Sequence, residues 1–221
     1  MNYHINFNLI WRHFDKLWQG LILSLELAVL SILIGAVIGL ALAIWYVSAG
    51  KVARTLISAY VEVLRNVPLI LLVYIVFYGI PTVVNIAYSP TVSFVATLSL
   101  YAGAYLVEVF RSGLEAVPRG QIDAGKAIGL TPWQRLLHVR LPTMTRITLP
   151  ALSNTFISLF KDTSVASVIA VPELTYGAQW INFNTFRIVE VYIVTTVMYL
   201  VTGYGILLGL RQLERRFKAE R

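Results

Sequence analysis

Lys161 and Asp162 stand side by side in a stretch, residues 147–171, that is otherwise apolar enough to lie in a membrane. A charge at that depth costs about 3 kcal/mol or more unless it is paired or wet, so it faces an internal path or a structural partner. Neighbours on a helix point about 100° apart, so these two cannot simply neutralise each other, and each needs its own partner. A zwitterionic amino acid offers both, a carboxylate for the cation and an ammonium for the anion. Thr163 and Ser164 extend the polar run. Asp162, Thr163 and Ser164 could also cap a broken half-helix whose N-terminus faces a ligand carboxylate. The structural reading is an ion pair from Lys161 and Asp162 to Glu108 or Arg111. Both readings stay open at this point.

Other ionisable residues in apolar stretches come in spaced pairs. Glu62 and Arg65, like Glu108 and Arg111, are three apart and can pair on one helix face. Gate-lining or structural pairing suits them better than ligand binding. Glu26 and Glu190 fall near span ends, where interfacial solvation accounts for them. His4, His13 and His138 lie on expected surface segments, and no Ser-His-Asp set or metal cluster stands out. No phosphate-cradling GxxxxGK[ST] loop is present, because Gly50-Lys51 is followed by Val and Gly125-Lys126 by Ala. Cysteine is absent, so no disulfide or thiolate site is possible.

A second constellation is polar and cytoplasmic in character. Residues 121–142 carry the punctuation of two short helices with an elbow. Asp123 is expected in the first turn of the first helix, where a negative charge suits the dipole. Lys126 falls in its last turn and Gly129 follows as a left-handed C′ residue. Thr131 then offers an N-cap oxygen, Pro132 fits the first helical position, and Gln134 completes a capping box. A helix pair so punctuated, on the face of a membrane protein, is suited to being held by another molecule.

The elements that position these residues follow from composition. The chain has 221 residues, 57% hydrophobic and only 13% charged. That excess must face lipid, which makes this an all-α polytopic membrane protein with one domain. Residues 7–20 read as an amphipathic interfacial lead-in rich in Trp and Phe, with no secretory pattern. Spans are expected at 21–47, 56–80, 92–110, 147–171 and 189–210. Gly35, Gly39 and Ala43 make a small-residue packing face on the first. The net charge of +7 does not imply nucleic acid. Lys51, Arg54, Arg65, Arg111, Arg119, Lys126, Arg135, Arg140, Arg146 and the basic tail through Lys218 and Arg221 all fall on one side if residues 120–142 are cytoplasmic. Arg12, Lys16 and Arg187 remain on the other. The positive-inside rule then gives five spans, N-terminus outside and C-terminus cytoplasmic.

The spacing of the polar segment also resembles a known family. Asp123-Ala124-Gly125, three residues, Gly129, nine residues, then Val139-Arg140-Leu141-Pro142 resembles the EAA loop of ABC-type import permeases. Here Asp replaces the Glu, Gly the second Ala and Val the Ile. Arg65-Asn66-Val67-Pro68-Leu69, Ala104 through Arg111, Gly120-Gln121, Lys161-Asp162-Thr163-Ser164 and Val171-Pro172-Glu173-Leu174 extend the likeness to the polar amino-acid uptake permeases, in order, from about residue 21 onward.

The resemblance implies a type I ABC importer fold, with coupling helices between spans three and four. It implies an ATPase-coupling role for Asp123, Ala124, Gly125, Gly129, Leu130, Pro132 and Arg135. It implies a permease subunit of the bacterial inner membrane, not an enzyme, acting as a dimer with an identical or similar permease. Two ATPase subunits would hold ATP and Mg, with none bound by this chain. It keeps Arg65 beside Lys161, Asp162, Thr163, Ser164, Glu108 and Arg111 on a substrate path, the substrate being a polar amino acid. An extracytoplasmic binding protein would dock at Glu173, Tyr176 and Trp180, for which an aromatic belt at the headgroups is the competing reading. The competing class is an ion-gradient-coupled carrier that needs no ATPase; five spans do not divide into inverted halves, which weighs against it.

Overall fold

A computed structural model describes residues 4–219; Arg221 and the side chain of Lys218 lie outside the described residues. All regular structure among them is helical. Among the described residues three helices are long and apolar enough to cross a membrane, and up to five spans result if each of two bent helix pairs counts as one.

After the short α1 (Asn8–Trp11), α2 (Phe14–Ser48) runs 35 residues without a break. At 1.5 Å per residue it is about 50 Å long, more than a bilayer core requires. The lead-in is therefore not separate from the first span: from Phe14 onward it is the first turns of α2. The small residues of α2 form its buried stripe, including Ser24, Ala28, Ser31, Gly35, Gly39 and Ala43. A β-carbon on Gly35 would stand 2.7 Å from Ala102 Cβ, and one on Gly39 2.8 Å from Leu106 Cβ. The two helix backbones thus touch, as small residues at i and i+4 permit.

The partner in that contact is α6 (Pro90–Glu115), the most buried of the long helices. Ser89 caps it, accepting from the Val92 amide at 3.2 Å, and Pro90 occupies the first turn. It continues beyond residue 110, the expected end of the third span.

Between them lies a bent pair. The α2–α3 connection is only Ala49 and Gly50, because α3 (Lys51–Asn66) starts directly. Arg54 folds back onto the end of α2, donating to the Tyr46 and Val47 carbonyls at 3.1 and 3.4 Å. The expected loop over residues 48–58 is therefore mostly helix. Pro68 then forces Val67 into extended backbone, and α4 (Leu69–Tyr74) leaves at 104° to α3. A π-turn over Ile75–Gly79 carries it into α5 (Ile80–Val84). The single straight span expected at 56–80 is thus broken by its own proline.

The C-terminal half starts with α7 (Arg119–Ala127) and α8 (Pro132–Arg135). A π-turn over Leu136–Arg140 joins α8 to α9 (Leu141–Asp162), which tightens into a 3-10 turn over Thr163–Ile169. The second elbow helix and the fourth apolar stretch are therefore one helix, where separate segments at 120–142 and 147–171 were expected. Ala170 in left-handed conformation and Pro172 end it. The expected loop over residues 172–187 is largely α10 (Leu174–Thr185), bent 46° from the preceding helix. α11 (Ile188–Ala219) completes the chain.

The main core lies where α2, α4, α6 and α9 meet, around Leu27, Val73, Phe94, Leu98, Leu159 and Ile169. α11 is far more exposed, with Ile193, Val197, Leu200 and Val201 each about half uncovered.

Candidate functional site

α6 and α9 line a half-open cavity of about 390 Å³, walled by Tyr101, Tyr105, Asn154, Thr155, Ser158, Leu159 and Asp162. Each wall is a single helix face. Tyr101 and Tyr105 are one turn apart on α6, with their hydroxyls 3.1 Å from each other. Asn154, Ser158 and Asp162 repeat every four residues on α9. The Arg65 guanidinium lies over the Tyr105 ring, 5.0 Å from its centroid. A carboxylate, an amide and several hydroxyls thus line one space, and a cation, Arg65, lies beside it against the Tyr105 ring.

Not every residue expected on the path reaches it. Asp162 does, but Lys161 points away and is exposed. The expected half-helix cap does not form, because the backbone simply continues into the 3-10 turn. Thr163 is fully buried and donates to the Phe160 carbonyl at 2.7 Å, while the Ser164 carbonyl accepts from Ser167 at 2.8 Å. The expected Glu62–Arg65 pair is also absent among the described residues; Arg65 takes the Tyr105 ring instead. Glu108 and Arg111 do pair, at 2.9 Å, and Arg111 bridges on to Glu115 at 3.1 Å. That network holds one face of α6, and no ion pair from it reaches Lys161 or Asp162 among the described residues. Tyr101, Tyr105, Asn154, Thr155 and Ser158 were missed by sequence reasoning, although a four-residue polar repeat in an apolar helix is a visible signal.

The elbow is assembled as its punctuation predicts, with one exception. Gly129 sits at φ +82. Its amide donates to Lys126 O at 2.9 Å and the Leu130 amide to Gly125 O at 3.0 Å, which closes the end of α7. Thr131 and Gln134 form the capping box, at 2.8 and 3.3 Å. The Arg135 guanidinium donates to the Leu130 carbonyl, and its stem lies against Gly125. The exception is Asp123. α7 starts at Arg119, so Asp123 is mid-helix rather than in the first turn, where no acidic residue lies. It pairs with Lys126 at 2.8 Å, and that hydrogen bond holds its carboxyl below the usual carboxylate range. Ile128 and Trp133 are 76% and 63% exposed, leaving two large apolar side chains uncovered on a polar elbow.

At the opposite end, Glu173 is corrected as a docking residue. It is fully buried. Its carboxylate caps α10, accepting from the Thr175 and Tyr176 amides at 2.9 Å each, and from the hydroxyls of Ser24 at 3.2 Å and Tyr199 at 3.0 Å. Trp180 carries Lys16 Nζ over its ring at 4.1 Å and His13 against its edge, and Tyr176 is half-buried. Phe183 and Phe186 are the exposed aromatics there, 74% and 82% uncovered. Glu190 is also buried rather than solvated at the interface. It accepts from the Asn6 amide at 2.8 Å and lies 3.5 Å from Arg187.

The chain is similar to known proteins in sequence and in fold. Residues 31–219 match the family described as "Binding-protein-dependent transport system inner membrane component". The chain is 38% identical to the L-cystine transport system permease protein TcyB of Bacillus subtilis (strain 168), covering 89% of this chain and 84% of that one. It is 33% identical to the glutamine transport system permease protein GlnP of Escherichia coli (strain K12), covering 95% and 96%. Among solved structures it matches the crystal structure of an amino acid ABC transporter with histidines, at a TM-score of 0.89 and 30% identity, covering 97% of this chain and all of that one. The inward-facing MetNI methionine ABC transporter shares the fold at a TM-score of 0.78 and 22% identity. The chain therefore belongs to the binding-protein-dependent transport system inner membrane component family: it is an ABC-type permease, a multi-pass membrane transport subunit rather than an enzyme.

Proposed function

We propose that this permease moves a polar amino acid inward across the membrane by alternating access, driven by ATP hydrolysis on separate subunits. The observation that carries the reading is the cavity between α6 and α9. Asp162 supplies an anion for the substrate ammonium, and Arg65 beside Tyr105 supplies a cation for its carboxylate. Tyr101, Asn154 and Ser158 offer hydrogen bonds between them. Lys161 and Ser164 have no part in that cavity, and Glu108 and Arg111 serve the pairing that holds α6. The relatives named for glutamine and cystine, and the transporter structure containing histidines, point to the same substrate class.

The elbow is the coupling element. Two ATPase subunits, holding ATP and Mg, receive Asp123, Ala124, Gly125, Gly129, Leu130, Pro132 and Arg135, together with the uncovered Ile128 and Trp133. The chain works as a dimer with an identical or similar permease. Its N-terminus is outside and its tail cytoplasmic, because the basic residues then share one side. A binding protein delivers substrate from outside onto the surface bearing Tyr176, Trp180, Phe183 and Phe186.

The test is uptake of radiolabelled glutamine or cystine into vesicles holding the complete complex. Asp162→Asn should still assemble with the ATPase and lose uptake at least tenfold, since a buried charge pairing is worth about 1.4 kcal/mol or more. Wild-type uptake in that variant would sink the assignment of Asp162. A chain that transports alone and ignores ATP would select the ion-coupled carrier instead.

A further inference from the structure

We propose that Arg140 is a positioning residue that ties the elbow to α6, so that both walls of the cavity follow the elbow. The inference rests on the coupling reading above. The α9 wall needs no tie, because α8, the π-turn and α9 form one continuous helix. The α6 wall has only the chain through Ala116, Val117 and Pro118 to connect it to α7.

Arg140 bridges that gap. It ends the π-turn, and its Nη2 donates to the Leu114 carbonyl at 3.2 Å. Leu114 lies in the last turn of α6 and is buried. As one of the last four carbonyls of α6 it has no intrahelical amide to accept from, and the residue four on, Pro118, has no N–H to offer. The guanidinium supplies the missing donor, and its charge meets the negative end of the α6 dipole. Immediately above, α6 and α9 touch at Gly113, where a β-carbon would stand 2.8 Å from Met144 Cγ. The close contact at Gly113 acts as a fulcrum, and the Arg140 bond fixes the two helix ends beyond it. Arg140 Nε is buried without a hydrogen-bond partner among the described residues, so the carbonyl of Leu114 is the polar contact the side chain makes there. Among the described residues no carboxylate forms an ion pair with it.

The experiment uses the complete complex in vesicles and reads ATP hydrolysis and substrate uptake together. Arg140→Met should assemble with the ATPase and keep its hydrolysis rate, while uptake per ATP falls about tenfold, in the range of ordinary coupling free energies. Arg140→Lys, which retains the charge and a donor, should recover part of that ratio. An unchanged ratio in Arg140→Met overturns the proposal. So does equal loss of assembly in both variants, which would make Arg140 a folding residue. If the wild-type complex shows no ATP dependence of uptake, the coupling reading fails first and this inference falls with it.

Discussion

Tyr199 on α11 donates its hydroxyl to the Glu173 carboxylate at 3.0 Å, joining two helices that no local signal connects. Ser24 on α2 donates to the same carboxylate, so three helices meet at one buried acid. Glu173→Ala should remove the α10 cap and leave the Thr175 and Tyr176 amides without their acceptor, while Ser24 keeps the Gly20 carbonyl and Tyr199 the Thr175 hydroxyl. A loss on the order of 2–4 kcal/mol is expected, from the cap and the unsatisfied groups together. Thermal unfolding of the purified complex measures it; a midpoint within a degree of wild type would refute the role. Tyr199→Phe should cost less, because the carboxylate keeps its other three donors.

The Gly35–Ala102 contact predicts a steric effect. Gly35→Leu should separate α2 from α6 and destabilise the permease by about 1–3 kcal/mol or more. Gly50→Ala, where no neighbour lies within 4 Å of an added β-carbon, should be neutral. The pair can be compared by yield and unfolding midpoint in detergent. Equal midpoints would mean that the two helices are not held by that approach.

At Gly129 the backbone itself makes the prediction. Any L-residue at φ +82 is strained by about 1–2 kcal/mol, and a long side chain would also cross the contact surface. Gly129→Arg should uncouple uptake from ATP hydrolysis, whereas Gly129→Asn, a residue tolerant of left-handed backbone, should retain much of it. ATP-driven uptake at the wild-type rate in Gly129→Arg would remove the elbow from the mechanism.

Asp123 separates contact from stability. Its folded pKa is depressed by Lys126, so its stabilising contribution is present above the unfolded value near 3.9 and lost as pH falls through the folded one. Between about pH 5 and pH 8 it is ionised in both states, and stability should not vary with pH on its account. The pair is exposed, so Asp123→Asn should leave the unfolding midpoint unchanged. Under the proposed coupling role, uptake should nevertheless fall. A fall in midpoint with uptake intact would reverse that assignment.

What was legible in the sequence follows from the range of each interaction. The membrane class rests on composition, and the elbow on caps that bond within five residues: Thr131 to Gln134, Gly125 to Leu130. The small-residue face at Gly35, Gly39 and Ala43 was visible as spacing, because a helix face repeats every four residues. Asp162 stood out through the cost of a buried charge.

The tertiary structure decided which groups actually meet. Arg65 could have paired with Glu62, but the turn of α3 over α6 offers it the Tyr105 ring instead. Lys161 and Asp162 were equal candidates until the rotation of α9 turned one toward the cavity and the other away. Glu173 looked like a surface acid in a loop; burial among Ser24, Tyr199 and the α10 amides became visible only once helices separated by about 150 residues were packed together. The Arg140–Leu114 bond is of the same kind, spanning 26 residues and depending on where Pro118 leaves a carbonyl unserved. Local chemistry sets caps and turns, and the order in which helices pack sets partners.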